Sequence, residues 1–296
     1  MHGSTTRSTV FDDGAPDIGR PPLPVGREIE LPGRGRTFVR ELAGPEGAPT
    51  VFLLHGWTVT AALNWYRQWL PLSEFVNVVA LDHRGHGRGI RSPRRFRLED
   101  AADDVAALAD ALSIDRFVVA GYSMGGPISQ LVWQRHADRV EGVVLAATFA
   151  RQARAGRERA LMQSVGALGR GTRLVGRRRQ LDLLTSAADS LSSAPDRPPW
   201  MLAEVRSGSV PMMLEAAAAI GRFDSTPWIG TVDVPIGLVV TNHDDIVSPG
   251  RQHHLASLLP QAEVRYVDLT HDGCVSHPHL FNPPFLELVR HAAGVE

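Results

Sequence analysis

The hydrophobic positions of the chain fall into short continuous runs that are separated by stretches with helical spacing. From residue 50 onward these runs are almost wholly apolar, as in TVFLL at 50–54. Continuous apolar runs are typical of strands that are covered on both faces, as in a parallel sheet. Six such runs are present, at residues 50–56, 76–82, 116–121, 140–147, 235–241 and 263–269.

Between the runs, apolar residues recur at intervals of three and four, which is the spacing of an amphipathic helix. Strands that alternate with helices predict a wound α/β sheet with right-handed crossovers. Upstream of them, residues 27–42 alternate on both sides of a Gly-containing turn and predict an antiparallel hairpin. The helical patterns cover residues 98–112, 124–137, 251–259 and 285–293.

Two segments depart from this alternation. Residues 1–26 are rich in Pro, Gly and Asp without periodicity, so we expect a flexible N-terminal tail. Residues 149–228 contain helical patterns and turn signals but no strand pattern, although they lie between two predicted strands. We therefore interpret 149–228 as a helical cap or lid above the sheet edge, inserted into a core of residues 27–148 and 229–296.

Composition narrows the class of protein. The net charge of the 296 residues is −1, which gives no indication of a nucleic-acid partner. The single cysteine, Cys274, argues against a disulfide framework and a thiolate metal site. No apolar run approaches the roughly 18 residues of a membrane helix, and the N-terminus lacks the apolar stretch of a secretory signal. We expect a cytoplasmic protein without stable membrane insertion, and its oligomeric state is left open.

One serine stands between glycines where a strand pattern gives way to a helix pattern. The letters GYSMGG satisfy G-x-S-x-G with Gly121, Ser123 and Gly125. In this context the motif predicts a sharp, strained turn that lifts the serine out of the sheet, with glycines where a Cβ would clash. The backbone N–H of Met124, at the helix start, could then stabilise an oxyanion. The alternative is a Gly-rich turn whose serine only caps the helix.

Three further features lie at the ends of predicted strands, where ligand sites of open α/β sheets collect. In LLHGW, a His-Gly turn could direct the backbone N–H of Trp57 toward the same oxyanion. Asp244 follows the strand at 235–241, and His271 follows the last strand. The order serine, aspartate, histidine along the chain is the one expected of a hydrolase with a catalytic triad.

The motifs HGW, LDHRGHGRG, GYSMGG, HDDIVSP and HDGCV together resemble the α/β-hydrolase fold superfamily, over residues 27–293. Within it the chain resembles the serine esterase, lipase and cofactor-free haloperoxidase-like branches. Epoxide hydrolases and haloalkane dehalogenases have an aspartate where this chain has Ser123. The family pattern, aligned with HDDIVSP, implies that Asp244 is the triad acid and that Asp245 points away. Ser248 departs from the pattern, because many relatives have proline there.

The resemblance implies a serine hydrolase that cleaves carboxylic esters of small molecules. In that mechanism His271 removes the Ser123 proton, the alkoxide attacks the carbonyl, and Asp244 orients the histidine. The N–H groups of Trp57 and Met124 hold the oxyanion, water resolves the acyl-enzyme, and no cofactor is required. The same residues could instead carry out perhydrolysis, as in haloperoxidase-like enzymes, or C–C bond hydrolysis, or be retained in a non-catalytic ligand-binding protein.

The other histidines and the cysteine are not expected to bind metal or react. His83 and His86 lie three residues apart on a Gly-rich turn, without a matching third ligand. The resemblance implies that this turn is a structural loop tied down by Asp82 and Arg84. Cys274 lies close to the predicted histidine, but the elbow already holds a serine, so we do not expect a catalytic thiol.

The predicted cap is strongly basic at its start. Residues 151–180 contain nine arginines and one acid, Glu158, which gives this segment a net charge of +8. Such a segment could attract anionic substrates or make salt-sensitive contacts with anionic surfaces. The alternative is that the arginines pair with acids elsewhere in the protein. Basic and apolar residues share the same helical stripe, which argues against an embedded membrane-surface helix.

Overall fold

The computed structural model describes residues 21–153, 156–174, 176 and 199–295. Eight strands of these residues form one sheet, and they coincide with the predicted hairpin and the six predicted apolar runs. The strands are β1 (Gly26–Leu31), β2 (Gly35–Leu42), β3 (Thr50–Leu54), β4 (Asn77–Leu81), β5 (Phe117–Tyr122), β6 (Val140–Ala146), β7 (Ile236–Thr241) and β8 (Glu263–Val267).

The strand order in the sheet is β1-β2-β4-β3-β5-β6-β7-β8. Strand β2 runs antiparallel to both β1 and β4, and every other neighbouring pair is parallel. The mostly parallel sheet and its N-terminal hairpin are therefore confirmed. Parallel strands end at the same edge, so the loops that follow β3, β5, β7 and β8 open on one side of the sheet.

Helices flank the sheet and form the insertion between β6 and β7. In chain order the described α-helices are α1 (Ala61–Trp65), α2 (Trp69–Ser73), α3 (Leu98–Ala111), α4 (Gly125–Arg135), α5 (Gly156–Thr172), α6 (Pro199–Arg206), α7 (Val210–Arg222), α8 (Pro249–Ser257), α9 (Gly273–Ser276) and α10 (Pro278–Ala293). Helices α3, α4, α8 and α10 lie where the sequence predicts them. None of the helices in the described part of the chain combines the length and the apolar character that crossing a membrane requires.

Both faces of the central strands β3 to β7 are buried, which explains why these strands lack polar alternation. In β3, Phe52 and Leu54 contribute to the apolar layer beneath α3 and α4, whereas Val51 and Leu53 contribute to the layer beneath α1, α2 and α10. All four side chains are fully buried. Successive strand residues point to opposite faces, so a strand that is covered on both sides needs apolar residues at every position.

The segment predicted as a cap, residues 149–228, contains α5, α6 and α7, and its remaining helical predictions fall outside the described residues. An isolated antiparallel bridge joins Arg151 to Asp224, close to the two ends of the segment. Helix α5 packs along α7, and the buried side of α7 joins the apolar layer that also covers the sheet. The exact division into core and cap stays a prediction.

Residues 1–20 of the predicted tail lie outside the described residues. Leu23, near the end of that tail, is 1% exposed, and the Pro24 carbonyl accepts a hydrogen bond from the Arg40 guanidinium. The packed part of the chain therefore begins before residue 26, because an apolar side chain within the predicted tail joins the core.

Candidate active site

Ser123 lies on the turn between β5 and α4. Its backbone φ is 53°, in the left-handed region that is strained for a residue with a side chain. Three hydrogen bonds hold this conformation. The Ser123 N–H donates to the Ala146 carbonyl at 3.0 Å. The Ser123 carbonyl accepts from the Gly126 N–H at 2.9 Å and from the Thr148 hydroxyl at 2.7 Å.

The glycines on either side of the serine lie where backbone segments approach closely. A Cβ at Gly121 would collide with the Gly125 carbonyl and with the Ser129 hydroxyl. A Cβ at Gly125 would collide with the carbonyl of Leu54, at the end of β3. The tight turn therefore requires glycine at both positions, because no side chain fits between α4 and the neighbouring strand ends.

His271, in the loop after β8, connects Ser123 to Asp244. Its Nε2 lies 3.0 Å from Ser123 Oγ, and its Nδ1 lies 2.7 Å from Asp244 Oδ2. Because Nδ1 faces a carboxylate, it carries the proton of the neutral ring, and Nε2 is left as an acceptor for the serine hydroxyl. The structure thus brings together the three side chains that the sequence proposes as a triad.

Asp244 is held by hydrogen bonds to both of its carboxylate oxygens. The backbone N–H groups of Ile246 and Val247 donate to Oδ1 at 2.9 and 2.7 Å. The Thr241 hydroxyl and the Gln252 amide donate to Oδ2 at 2.8 and 3.1 Å, beside His271. The Asp244 side chain has no exposed surface. A buried carboxylate with this many donors is fixed in both position and direction.

The adjacent Asp245 is exposed and does not contact His271 in the described residues. The alignment that makes Asp244 the acid therefore agrees with the geometry. Sequence reasoning missed Thr241 and Gln252, because the Gln252 side chain comes from α8 and reaches the acid only in the folded chain.

The loop after β3 passes beside the nucleophile. A Cβ at Gly56 would lie 3.3 Å from Ser123 Cβ, so the backbone just before Trp57 passes close to the serine. No described residue accepts a hydrogen bond from the Trp57 or Met124 backbone N–H. Both donors proposed for the oxyanion are therefore available to a ligand.

His55, the histidine of the LLHGW motif, shapes this loop through side-chain contacts that the sequence did not predict. Its Nδ1 donates to the Gly56 carbonyl at 2.7 Å, and its Nε2 accepts from the His83 N–H at 2.9 Å. Burial lowers the pKa of His55 to about 4. A neutral ring that donates at one nitrogen and accepts at the other therefore ties the loop after β3 to the loop after β4.

The loop after β4 is structural, as the resemblance implies. Asp82 accepts from the N–H groups of Ala61 and Arg88 at 3.0 and 2.9 Å. Arg84 donates twice to Asp104 of α3, at 2.7 Å each. Within the described part of the chain, no group of three or more His, Cys, Asp or Glu side chains could hold a metal ion.

Cys274, in α9, lies inside a buried polar cluster. Its thiol lies 3.6 Å from Asn64 Nδ2, and its carbonyl accepts from Gln68 Nε2 at 2.9 Å. Burial raises the pKa of this thiol to about 12, so it stays protonated and unreactive at neutral pH. The cluster has no sequence signature, because Asn64 and Cys274 are 210 residues apart.

The cap segment contacts the loops that surround Ser123. The indole N–H of Trp57 donates to the Met213 carbonyl of α7 at 2.7 Å. Glu204 of α6 accepts from the Thr60 hydroxyl at 2.9 Å. The Tyr66 and Trp200 rings meet edge to face, with centroids 5.5 Å apart. One residue, Trp57, therefore contributes both a candidate oxyanion donor and a bond to the cap.

Two described arginines of the predicted basic segment have acidic partners. Arg173 donates to both carboxylate oxygens of Glu215, at 2.8 and 2.9 Å. Arg151 lies 3.5 Å from Asp224. Arg157 and Arg159 are exposed on α5, while four of the nine arginines lie outside the described residues. The charge of the segment is therefore partly neutralised within the protein.

Comparison with known proteins identifies relatives along most of the chain. The profile of the family described as alpha/beta hydrolase fold matches residues 49–278. The non-heme chloroperoxidase of Streptomyces lividans is 28% identical over 276 residues, which cover 86% of this chain and 95% of that protein. The pimeloyl-(acyl-carrier protein) methyl ester esterase of Neisseria meningitidis (serogroup C, strain FAM18) is 29% identical over 257 residues, covering 83% and 95%.

A solved structure shares the fold. A hydrolase from Pseudomonas aeruginosa superposes with a TM-score of 0.74 at 20% identity, and the match covers 89% of this chain and 98% of that one. The sheet and helices of the two proteins thus follow the same path over nearly the whole chain.

Proposed function

Because the chain belongs to the α/β-hydrolase fold family, we propose that it is a serine hydrolase that cleaves carboxylic esters through an acyl-enzyme on Ser123. The observation that supports this most is the unbroken hydrogen-bonded chain from Ser123 through His271 to Asp244, with distances of 3.0 and 2.7 Å. It begins at a strained serine and ends at a carboxylate without exposed surface. Such a chain is the arrangement that activates a hydroxyl as a nucleophile.

In the proposed reaction, His271 Nε2 accepts the Ser123 proton while Oγ attacks the carbonyl carbon of the ester. The imidazolium that forms donates from Nδ1 to Asp244, whose negative charge stabilises it. The proton on Nε2 then passes to the oxygen of the leaving alcohol as the C–O bond breaks, and the acyl group remains on Ser123. A water molecule, deprotonated by the same nitrogen, attacks the acyl-enzyme and releases the carboxylic acid.

The negative charge that develops on the carbonyl oxygen is assigned to the backbone N–H groups of Trp57 and Met124. Met124 directly follows Ser123, Trp57 follows Gly56, whose backbone passes close to Ser123, and neither N–H donates to another described residue. Met124 also precedes α4, so the positive end of that helix dipole points at the same position. Removing one such donor from an oxyanion hole typically lowers kcat by about 10²–10³-fold.

Perhydrolysis is a second candidate function, and the Streptomyces lividans chloroperoxidase among the relatives supports it. It would share the acyl-enzyme, which hydrogen peroxide rather than water then attacks, so that a peracid is released in place of the acid. Adding hydrogen peroxide to the ester assay and measuring peracid separates the two. Turnover of esters also separates both from C–C bond hydrolysis and from a non-catalytic ligand-binding role.

The preference for an anionic ester is part of the proposal and depends on the exposed arginines. Arg157 and Arg159 are exposed, whereas Arg151 and Arg173 are engaged with Asp224 and Glu215. Salt screens exposed charges over about 8 Å at physiological ionic strength. The kcat/KM of a carboxylate-bearing ester should therefore fall with salt more than that of a matched neutral ester. A second measurement is co-sedimentation of the protein with anionic vesicles. If salt lowers kcat/KM equally for both esters and the protein does not co-sediment, these arginines do not select anionic partners.

The direct test of the proposed function is Ser123→Ala on a series of p-nitrophenyl esters. The substitution removes the nucleophile without adding bulk to the elbow, so the melting temperature should hold while kcat falls on the order of 10³-fold or more. Retention of more than about a tenth of the wild-type activity would contradict a Ser123 acyl-enzyme.

A further inference from the structure

Tyr122, the residue before the nucleophile, contacts the loop that carries the histidine. Its hydroxyl donates to the His271 carbonyl at 2.7 Å. The side chain is 3% exposed. Its ring meets Trp65 edge to face, with centroids 6.0 Å apart, and Phe281 in the same way at 5.7 Å. The ring therefore has a fixed position from which it presents its hydroxyl to the backbone of His271.

Asn64, in α1, makes a second connection on the same side of the sheet. Its Oδ1 accepts from the Gly56 N–H at 2.8 Å, and its Nδ2 lies 3.6 Å from the Cys274 thiol. Gln68 adds a bond of 2.9 Å to the Cys274 carbonyl. The Asn64 side chain thus joins the loop of residues 55–57 to the segment that follows His271.

These contacts form one continuous bridge. Tyr122 binds the His271 carbonyl and Asn64 contacts the Cys274 thiol, so both side chains reach the same short segment after β8. We propose that Tyr122 and Asn64 are positioning residues that fix the histidine loop (residues 271–274) and the oxyanion loop (residues 55–57) relative to Ser123. This inference rests on the proposed function, and it adds two residues that do not touch the reacting atoms.

The bridge matters because both loops must hold their geometry to fractions of an ångström. A displacement of about 1 Å in a catalytic group can lower the rate by about 10²-fold. Without the Tyr122 hydroxyl, the His271 carbonyl loses the donor that binds it at 2.7 Å. Without the Asn64 amide, the buried Gly56 N–H loses its acceptor. An unsatisfied buried N–H costs free energy, so the loop is expected to shift until this N–H binds another acceptor.

Tyr122→Phe is the sharpest test, since it removes one hydroxyl and keeps the ring. We expect kcat for p-nitrophenyl acetate to fall about tenfold while KM stays within about twofold, because substrate binding does not use the bridge. Deuterium exchange should become faster in the peptide that contains residues 271–274. Tyr266→Phe is the matched control, since Tyr266 lies on β8 with 58% of its surface exposed.

Asn64→Leu, with a similar volume and no polar group, tests the other half of the bridge. It should lower kcat by at least as much and speed exchange at residues 55–57. The double variant should lose less than the product of the two single losses, since both act through one connected network.

The inference is overturned if Tyr122→Phe keeps kcat within twofold of the wild type. It is also overturned if kcat and KM change together while exchange rises throughout the protein, which indicates general destabilisation. Failure of the proposed function looks different, because the wild type itself would then neither turn over esters nor react at Ser123. In that case local exchange at 271–274 still decides whether the bridge holds the loop.

Discussion

Two neighbouring aspartates after β7 face opposite environments. Asp244 is buried and accepts from two backbone N–H groups and from His271, whereas Asp245 is exposed. Their sequence context differs by one position only, so the contrast arises from the turn that begins at Thr241. The direction of each carboxylate, rather than its presence, decides which one can orient the histidine.

We therefore expect Asp244→Asn to lower kcat/KM on the order of 10²-fold or more. A neutral amide at this position favours the wrong tautomer of His271, and it cannot stabilise the positive charge of the imidazolium. Asp245→Asn is the matched control and should stay within twofold of the wild type. Steady-state kinetics on one ester suffices. A larger loss at Asp245 would transfer the role to the exposed residue and contradict the assignment.

The helices of the predicted cap are held to the rest of the fold by a small number of directed contacts. Arg173, just past α5, donates to Glu215 of α7 and to the carbonyls of Ser92, Pro93 and Arg94. Glu215 is buried and also accepts from the Phe96 N–H at 2.9 Å. One arginine thus joins two cap helices to the loop before α3.

Arg173→Gln should lower the free energy of unfolding by about 1–3 kcal/mol, since it removes charged hydrogen bonds and leaves the Glu215 carboxylate without its cation. Arg157→Gln, at an exposed position of the neighbouring helix, is the control and should change it by less than about 0.5 kcal/mol. Urea titrations of both variants provide the comparison. Equal stability of the two would mean that the Arg173 cluster does not fasten the cap.

The elements of the core were predictable because each is a local pattern. The continuous apolar strands and the amphipathic α3, α4, α8 and α10 are recorded in consecutive residues, and the structure confirms them. Helices α1 and α2 escaped prediction because five residues are too few to show a helical period. Their positions are set by burial of Trp65 and Trp69 against the sheet, which is a tertiary effect.

In the candidate site, too, some residues could be proposed from local sequence patterns and others depend on tertiary contacts. Ser123, Asp244 and His271 could be proposed from the sequence because each follows a predicted strand, and parallel strands end at one edge. The side chains that hold them, such as Tyr122 and Asn64, reach across the fold and leave no periodic trace in the sequence. For Trp57 the sequence suggested a role for the backbone N–H only. The bond from its indole to Met213 was not predictable, because the two residues are 156 positions apart in the chain.

Three buried histidines make the stability of the whole molecule depend on pH. His55, His83 and His86 are at most 1% exposed, and the His55 ring lies 4.3 Å from that of His83 and 5.5 Å from that of His86. Burial lowers the pKa of His55 to about 4 and that of His86 to about 3, and it holds the pKa of His83 well below its usual range. All three rings are therefore neutral in the folded protein near neutral pH.

In the unfolded chain these rings take up protons near pH 6.5, whereas in the folded protein burial holds the pKa of His55 at about 4, that of His86 at about 3 and that of His83 well below its usual range. Stability should thus be full above pH 6.5 and fall as the pH decreases below it. For three histidines the loss is on the order of 3 kcal/mol between pH 6.5 and 5.5. Urea unfolding at several pH values measures it, and His277→Asn, an exposed position, should leave the slope unchanged. A flat profile over this interval would contradict neutral burial of the cluster.

We propose above that the fold activates one hydroxyl, that of Ser123, as a nucleophile. Labelling with a fluorophosphonate probe tests it most directly, because the probe phosphonylates an activated serine and peptide mass spectrometry locates the adduct. We predict one adduct per chain, on Ser123, with none in Ser123→Ala and a rate lowered by at least about 10²-fold in His271→Ala. Absence of labelling in the folded wild type, an adduct on another residue, or equal labelling of Ser123→Ala would contradict the claim.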